Sequence, residues 1–209
     1  MVRYPDGSSY QPAGHSLTNQ PISNQQGTAS FAKRGMKLEE MINKSNQWYL
    51  NRKLAVIHKK PTPIQIVKVD YPKRSRAVIR EAYYRQASTT DYNGIYQGYY
   101  LDFEAKQTNQ KTRFPLHNIH SHQLRHMGQC EDQGGITFTI IYFASLGQAY
   151  LYPYQDLFRD WQASQADGAK SISLAKIKDC GYEIPRRISP HLDYLAAVDQ
   201  LIADRQAGR

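Results

Sequence analysis

Apolar residues along this chain switch between two periods, and the switches mark its elements. Leu38, Met41, Ile42, Ser45 and Tyr49 recur at helical spacing, which predicts an amphipathic helix from Met36 to about Asn51. Leu54 to His58 reads as a short buried strand. After Pro61-Thr62-Pro63, the residues Ile64, Ile66, Val67 and Val69 suggest an extended segment. Tyr71 to Ser75 reads as a turn with its charges displayed, and Ala77 to Tyr84 as a strand or short helix. Aliphatic and charged residues alternate through this excursion, as suits a protruding, turn-tipped ribbon.

The next segment, Thr89 to Lys106, predicts a β-hairpin. Gln97-Gly98 serves as a two-residue turn, with Gly98 supplying the positive φ such turns need. Counting back from the turn pairs Tyr96 with Tyr99, Gly94 with Leu101, Asp91 with Glu104 and Thr89 with Lys106. Residues directly opposite share a face, roughly 5 Å apart at Cβ. Along the second strand Asp102, Glu104 and Lys106 share one face, and Leu101, Phe103 and Ala105 the other.

Beyond the hairpin, Gln107 to Arg113 is polar loop and His117 to Gln133 looks helical. Ile136 to Phe143 is an apolar, β-rich strand that pairs with Ala149 to Tyr152 across a turn at Gly147. Helices are expected at about Tyr154 to Ser164, Leu174 to Asp179 and Leu192 to Arg205. Strands flanked by helices at both ends indicate a mixed sheet in an α/β sandwich. Residues 1–33 are rich in Gln, Ser, Asn, Gly and Pro and read as a flexible tail. Residues 34–209 then form one domain, a size that supports a single sizeable core.

Charge changes this picture. The net charge is +9, and the window from Arg52 to Arg80 holds nine basic residues against one acid, Asp70. Clustered positive charge points to a polyanion, nucleic acid first among them; the alternative is a solvated face that aids solubility. Lys59, Lys60, Lys73, Arg74 and Arg76 are the candidate DNA contacts. Tyr83 and Tyr84 offer aromatic faces for unpaired bases, or else alternate between core and surface. Two distant cysteines, Cys130 and Cys180, fit a reducing compartment without disulfides. No apolar run is long enough to span a bilayer and no signal peptide is visible, so an intracellular protein with no membrane partner is expected.

The hairpin carries the chemistry. Like charges facing across a sheet ask for compensation, and a divalent cation between Asp91 and Glu104 would supply it. Hard cations take oxygen ligands and leave positions for water and phosphate. Such an ion polarises a phosphoryl oxygen, and Lys106 beside it would steady negative charge growing there. That is the outline of a metal-dependent nuclease; the alternative is a surface hairpin with a Glu104–Lys106 ion pair. Glu39 and Glu40 suit a helix N-terminus. His122 and His126 stand one helical turn apart, but with no acidic or sulfur partner at a familiar spacing a zinc site is not expected. Gln123 lies on the same helix and reaches a metal only if that helix packs over the hairpin.

Several strings, in order and spacing, resemble the RecU family of Holliday-junction resolvases of Gram-positive bacteria. They are Arg34-Gly35-Met36-Lys37-Leu38-Glu39, Ile57 to Pro63, Tyr71 to Ser75, Ser88 to Gly94, Asp102 to Lys106, and Phe114-Pro115-Leu116 with His122-Gln123. The resemblance implies a restriction-endonuclease-like fold of the PD-(D/E)XK superfamily, a mixed β-sheet flanked by helices, with a protruding stalk at about 60–88. It implies Mg2+, with Mn2+ as an alternative, held by Thr89, Asp91, Glu104 and Gln123. Lys106 would stabilise the transition state and Glu39 would support the site. Lys59, Arg74, Tyr83 and Tyr84 would fall on or near the stalk. A homodimer that nicks opposed strands of a four-way junction is implied, as are the recombinase RecA as a partner and a cytoplasmic, nucleoid-associated location. Gln107 departs from relatives that carry an acid after the lysine. The rival classes are a non-catalytic junction-binding or remodelling module and an ordinary duplex endonuclease.

Overall fold

The computed structural model describes residues 28–70, 78–84 and 89–208, with side chains from residue 38 onward. These residues form five helices and ten strands. Helix α1 (Thr28–Asn51) is longer than its apolar pattern suggests, since it starts eight residues before Met36 in a stretch expected to belong to the tail. The helical stripe of Leu38, Met41, Ile42 and Tyr49 is buried as expected.

Strand β1 (Ala55–Lys59) opens a six-stranded sheet. It continues with β4 (Tyr92–Tyr96), β5 (Tyr99–Thr108), β7 (Ile136–Phe143), β8 (Gln148–Pro153) and β10 (Tyr182–Glu183), in the spatial order β1-β4-β5-β7-β8-β10. Only β5 and β7 run parallel; the other neighbours are antiparallel. The crossover between the parallel pair contains α2 (Ser121–Asp132), as a parallel connection requires. Helices α3 (Tyr154–Gln165), α4 (Leu174–Cys180) and α5 (Tyr194–Gln206) complete a mixed α/β domain with helices on both sides of the sheet.

The two faces differ in what they bury. On one, α1 and α5 cover Leu101, Phe103, Ile136, Phe138 and Ile140. Tyr92, Phe103 and Phe138 sit in register on β4, β5 and β7, and their rings stack with centroids 5.0 and 4.8 Å apart. On the other face, Ile141, Phe143, Tyr150 and Tyr152 pack beneath α2, α3 and α4. Further along that face stand Asp102 and Glu104 of β5 beside Thr137 and Thr139 of β7, all buried. This polar strip is where the chemistry lies.

Two smaller pairings complete the fold. Strands β2 (Ile64–Asp70) and β3 (Val78–Tyr84) form a separate two-stranded ribbon, the expected excursion, and almost every residue of it is exposed. Strand β6 (Arg113–Pro115) pairs with β9 (Ser171–Ser173), a link between distant segments that no local pattern announces.

Candidate active site

The hairpin forms in the expected register. Gln97 and Gly98 both have positive φ, 50° and 83°, which matches the twist of the flanking strands, and Tyr96 faces Tyr99 with Gly94 facing Leu101. The ladder is shorter than expected, however. It ends at Tyr92 opposite Phe103, so neither Asp91–Glu104 nor Thr89–Lys106 is a backbone pair. Asp91 has taken other partners: its N–H donates to Glu104 Oε2 at 3.2 Å, and its C=O accepts from the Lys60 N–H at 2.7 Å. Asp91 and Glu104 therefore lie close together, joined from the Asp91 backbone to the Glu104 side chain and not as cross-strand partners. Lys106 lies opposite Ile141 of β7 instead.

Glu104 is 1% exposed and holds an ion pair with Lys106 Nζ at 2.9 Å. Burial pushes its carboxyl up to about 7; the Lys106 ammonium works against that shift, and the Asp91 charge adds to it. Burial and the neighbouring Asp91 thus outweigh the one ammonium at contact distance. Across the β5–β7 register stands Thr139, fully buried, with a hydroxyl that has no hydrogen-bond partner among the described residues.

Glu39 belongs to the same neighbourhood. Burial raises the pKa of Tyr92, and the negative charges of Glu39, Asp91 and Glu104 raise it further, so all three acids surround one phenol. Glu39 is ion-paired with Lys59. A cavity of about 430 Å3 at the root of the ribbon is lined by Glu39, Lys59, Pro61, Thr89 and Asp91 among others.

Helix α2 does pack over the sheet beside this cluster. Its first turn brings His122 near Lys106: burial lowers the His122 pKa, and the charges of His120 and Lys106 lower it further. Gln123 is buried, and its Oε1 accepts from the His120 N–H at 3.1 Å, which caps the helix. Its amide was expected at a metal; the bond that fixes it here is to the backbone.

Lys60, expected among the DNA contacts, is turned inward. Its Nζ donates to Asp102 Oδ2 at 2.6 Å and to Thr90 Oγ1 at 2.9 Å, and lies 3.3 Å from His126 Nε2. Asp102, 0% exposed, also accepts from Tyr100 OH at 2.9 Å and from the Thr90 hydroxyl, with His126 Nε2 at 3.2 Å. The expectation that the histidines lack acidic or sulfur partners needs correction. Asp102, His126 and Cys130 bring potential ligand atoms within 4.8 Å of one another. Cys130 lies one turn beyond His126, a spacing visible in the sequence; Asp102 arrives only through the sheet.

Of the remaining DNA candidates, Lys59 is shared with Glu39, and Tyr83 and Tyr84 are 59% and 83% exposed on the ribbon, away from any core. Lys73, Arg74 and Arg76 lie outside the described residues.

A family model described as Recombination protein U matches residues 33–200. The chain belongs to that family. The Holliday junction resolvase RecU of Lactobacillus delbrueckii subsp. bulgaricus is 56% identical over 206 residues, 99% of this chain and 97% of that protein. Its namesake in Bacillus pumilus is 52% identical over 201 residues, 96% of each. The solved Holliday junction resolvase Hjc of Archaeoglobus fulgidus matches with a TM-score of 0.41 at 9% identity, covering 71% of this chain and 94% of that one, a likeness too slight to carry an argument. The RecU match spans the hairpin, the ribbon and α2, and so includes every residue of both carboxylate clusters.

Proposed function

We propose that this protein is a Mg2+-dependent endonuclease that resolves four-way DNA junctions, with Asp91, Glu104 and Lys106 as its catalytic residues. The observation that carries the reading is the buried Glu104, held between Asp91 and Lys106, with burial working against its charge. Membership in a family whose relatives are named Holliday junction resolvases supplies the substrate.

The residues present fit a hard divalent ion. Thr89, Asp91 and Glu104 offer oxygen donors, and the Gln123 carbonyl oxygen would join them while it caps α2. Burial disfavours the ionised Glu104 carboxyl, and the Thr139 hydroxyl across from it has no partner among the described residues. Bound there, Mg2+ or Mn2+ would supply Lewis-acid polarisation of the phosphate and acidify a water. The chain's own residues do the rest. Asp91, held just before β4 by its backbone bonds to Lys60 and Glu104, and Glu104 on β5 would present the carboxylate oxygens. Lys106 balances charge that grows on the phosphate as the nucleophile arrives. Glu39 holds Lys59 at the rim of the cavity, where a DNA backbone would enter.

Junction shape rather than base sequence would direct cleavage, because contacts to phosphates position DNA without reading it. The ribbon, with exposed Tyr83 and Tyr84 and an excess of basic residues, suits the open centre of a junction. Two opposed nicks call for two copies of the chain. What supports a homodimer is an apolar groove of about 740 Å3 on the open face of β1, β4 and the start of β5, where Leu50, Leu54, Val56, Ile95 and Tyr100 are exposed. Family membership alone supports RecA as a further partner and a nucleoid-associated, cytoplasmic location; among the described residues no helix is long and apolar enough to cross a membrane.

The test is cleavage of a labelled four-way junction with and without Mg2+, beside a linear duplex of the same sequence. Paired symmetric nicks in the junction alone are expected. Binding without nicks would indicate a junction-binding module, and equal cutting of the linear duplex would indicate an ordinary endonuclease.

A further inference from the structure

We propose that Lys60, Thr90 and Asp102 form a clamp at the base of the ribbon, and that they are positioning residues for Asp91. The inference rests on the reading of Asp91 as a metal-binding carboxylate. Lys60 stands where the chain leaves the main sheet for the ribbon, just before Pro61-Thr62-Pro63. Thr90 stands where it returns, one residue before Asp91. The two roots are tied to each other and to the centre of the sheet. The Thr90 hydroxyl donates to one carboxylate oxygen of Asp102 and accepts from Lys60 Nζ, so both its proton and a lone pair are committed. Lys60 Nζ bonds the second oxygen of Asp102, and the Lys60 N–H holds the Asp91 carbonyl. One residue thus grips the Thr90-Asp91 segment at two points. Thr90 is 2% and Asp102 0% exposed, and β5 is flanked by strands on both sides, so the anchor does not give.

The same cluster could be read as a metal site, since Asp102, His126 and Cys130 converge. The lysine ammonium already lies 2.6 Å from Asp102 and 3.3 Å from His126, so it fills the space and supplies the charge. A buried carboxylate with this many donors has its desolvation offset and needs no ion. The clamp therefore serves geometry. A small displacement of a reacting group costs about 10²-fold in rate, and a ribbon loaded by DNA would pull directly on residues 60 and 90.

The experiment uses the full chain and three variants, T90V, T90S and K60M, each checked by circular dichroism to be folded at the assay temperature, since K60M leaves the buried Asp102 without its ammonium and is expected to melt lower. T90V, which keeps the volume and loses the hydroxyl, is expected to cut a four-way junction about 10²-fold more slowly at saturation. It should need more Mg2+ for half-maximal rate, with junction affinity in metal-free buffer unchanged; T90S should restore most of the rate. K60M should follow T90V and leave the salt dependence of junction binding as in the wild type. Three results would overturn the clamp: T90V with wild-type rate and Mg2+ response, K60M with the salt slope of binding reduced by about one and an unchanged rate at saturation, or stoichiometric Zn2+ binding that C130S abolishes. D91A run in parallel separates the two readings. If D91A is inactive and T90V is normal, only the clamp fails; if D91A cuts at the wild-type rate, the catalytic assignment itself fails.

Discussion

Asp102 and Glu104 stand two residues apart on one strand and one face, both out of reach of water, yet their surroundings are opposite. Asp102 meets an ammonium and two hydroxyls, with an imidazole beside them. Glu104 meets one ammonium and one backbone N–H, and shares its space with a second carboxylate. Burial alone therefore does not identify a catalytic acid. The useful measure is how much of the cost of burial the neighbours leave unmet: Asp102 is a finished ion pair, and Glu104 is half of an unfinished one.

This contrast can be broken by substitution. The largest effect is expected from E104A or D91A, which should lower Mg2+-dependent junction cleavage by about 10³-fold or more while binding persists; gel-based cleavage and binding assays read the two separately. D102A should damage the fold as well as loosen the clamp. Removing one partner of a buried pair leaves Lys60 uncompensated, and a loss of about 3 kcal/mol is expected in urea unfolding. Should D102A unfold like the wild type and E104A be the unstable variant, the assignment of the two roles is reversed. K106A should slow cleavage by about 10²-fold, measured at saturating junction and Mg2+.

A smaller effect sharpens the same contrast through pH. The folded-state pKa of Glu104 is raised from the ordinary 4.5 to about 7, so between those values the folded chain binds more protons than the unfolded one. Stability of the metal-free protein should fall as pH rises through that window, and E104Q should flatten the fall. Addition of Mg2+ should restore stability most at the upper end, where the carboxylate is ionised; denaturation scans at pH 5, 6 and 7.5 would read both trends.

The pattern of the chain announces one of these two acids far better than the other. The Gln97-Gly98 turn and the alternation of β5 announce the hairpin and the nearness of Asp91 to Glu104, because a hairpin is local and its register can be counted, but not the end of pairing at Tyr92 that leaves them joined through a side chain. The helical stripe from Leu38 to Tyr49, the ribbon and the apolar strand β7 were legible for the same reason. Asp102 was not. Its partners Lys60, Thr90 and His126 come from a strand end, a loop and a helix, and only the order of strands in the sheet joins them. Lys60 looked like a phosphate contact because it sits in a basic run, and sequence does not reveal which member of such a run faces inward. The β6·β9 pairing and the start of α1 at Thr28 were hidden for similar reasons: one depends on segments far apart, and the other lies in a stretch with little apolar signal.

The tight reversal at Gln97 and Gly98 lies at the far end of the hairpin from the acids, exposed and without chemistry of its own. Yet side chains alternate along a strand, so one residue inserted there and propagated down β5 would send Asp102, Glu104 and Lys106 into the aromatic stack beneath α1 and turn Leu101 and Phe103 toward α2. What protects the site from such a slip is β7, whose eight pairs with β5 hold the phase of that strand, so that an added residue is absorbed in the exposed loop and the acids keep their side of the sheet.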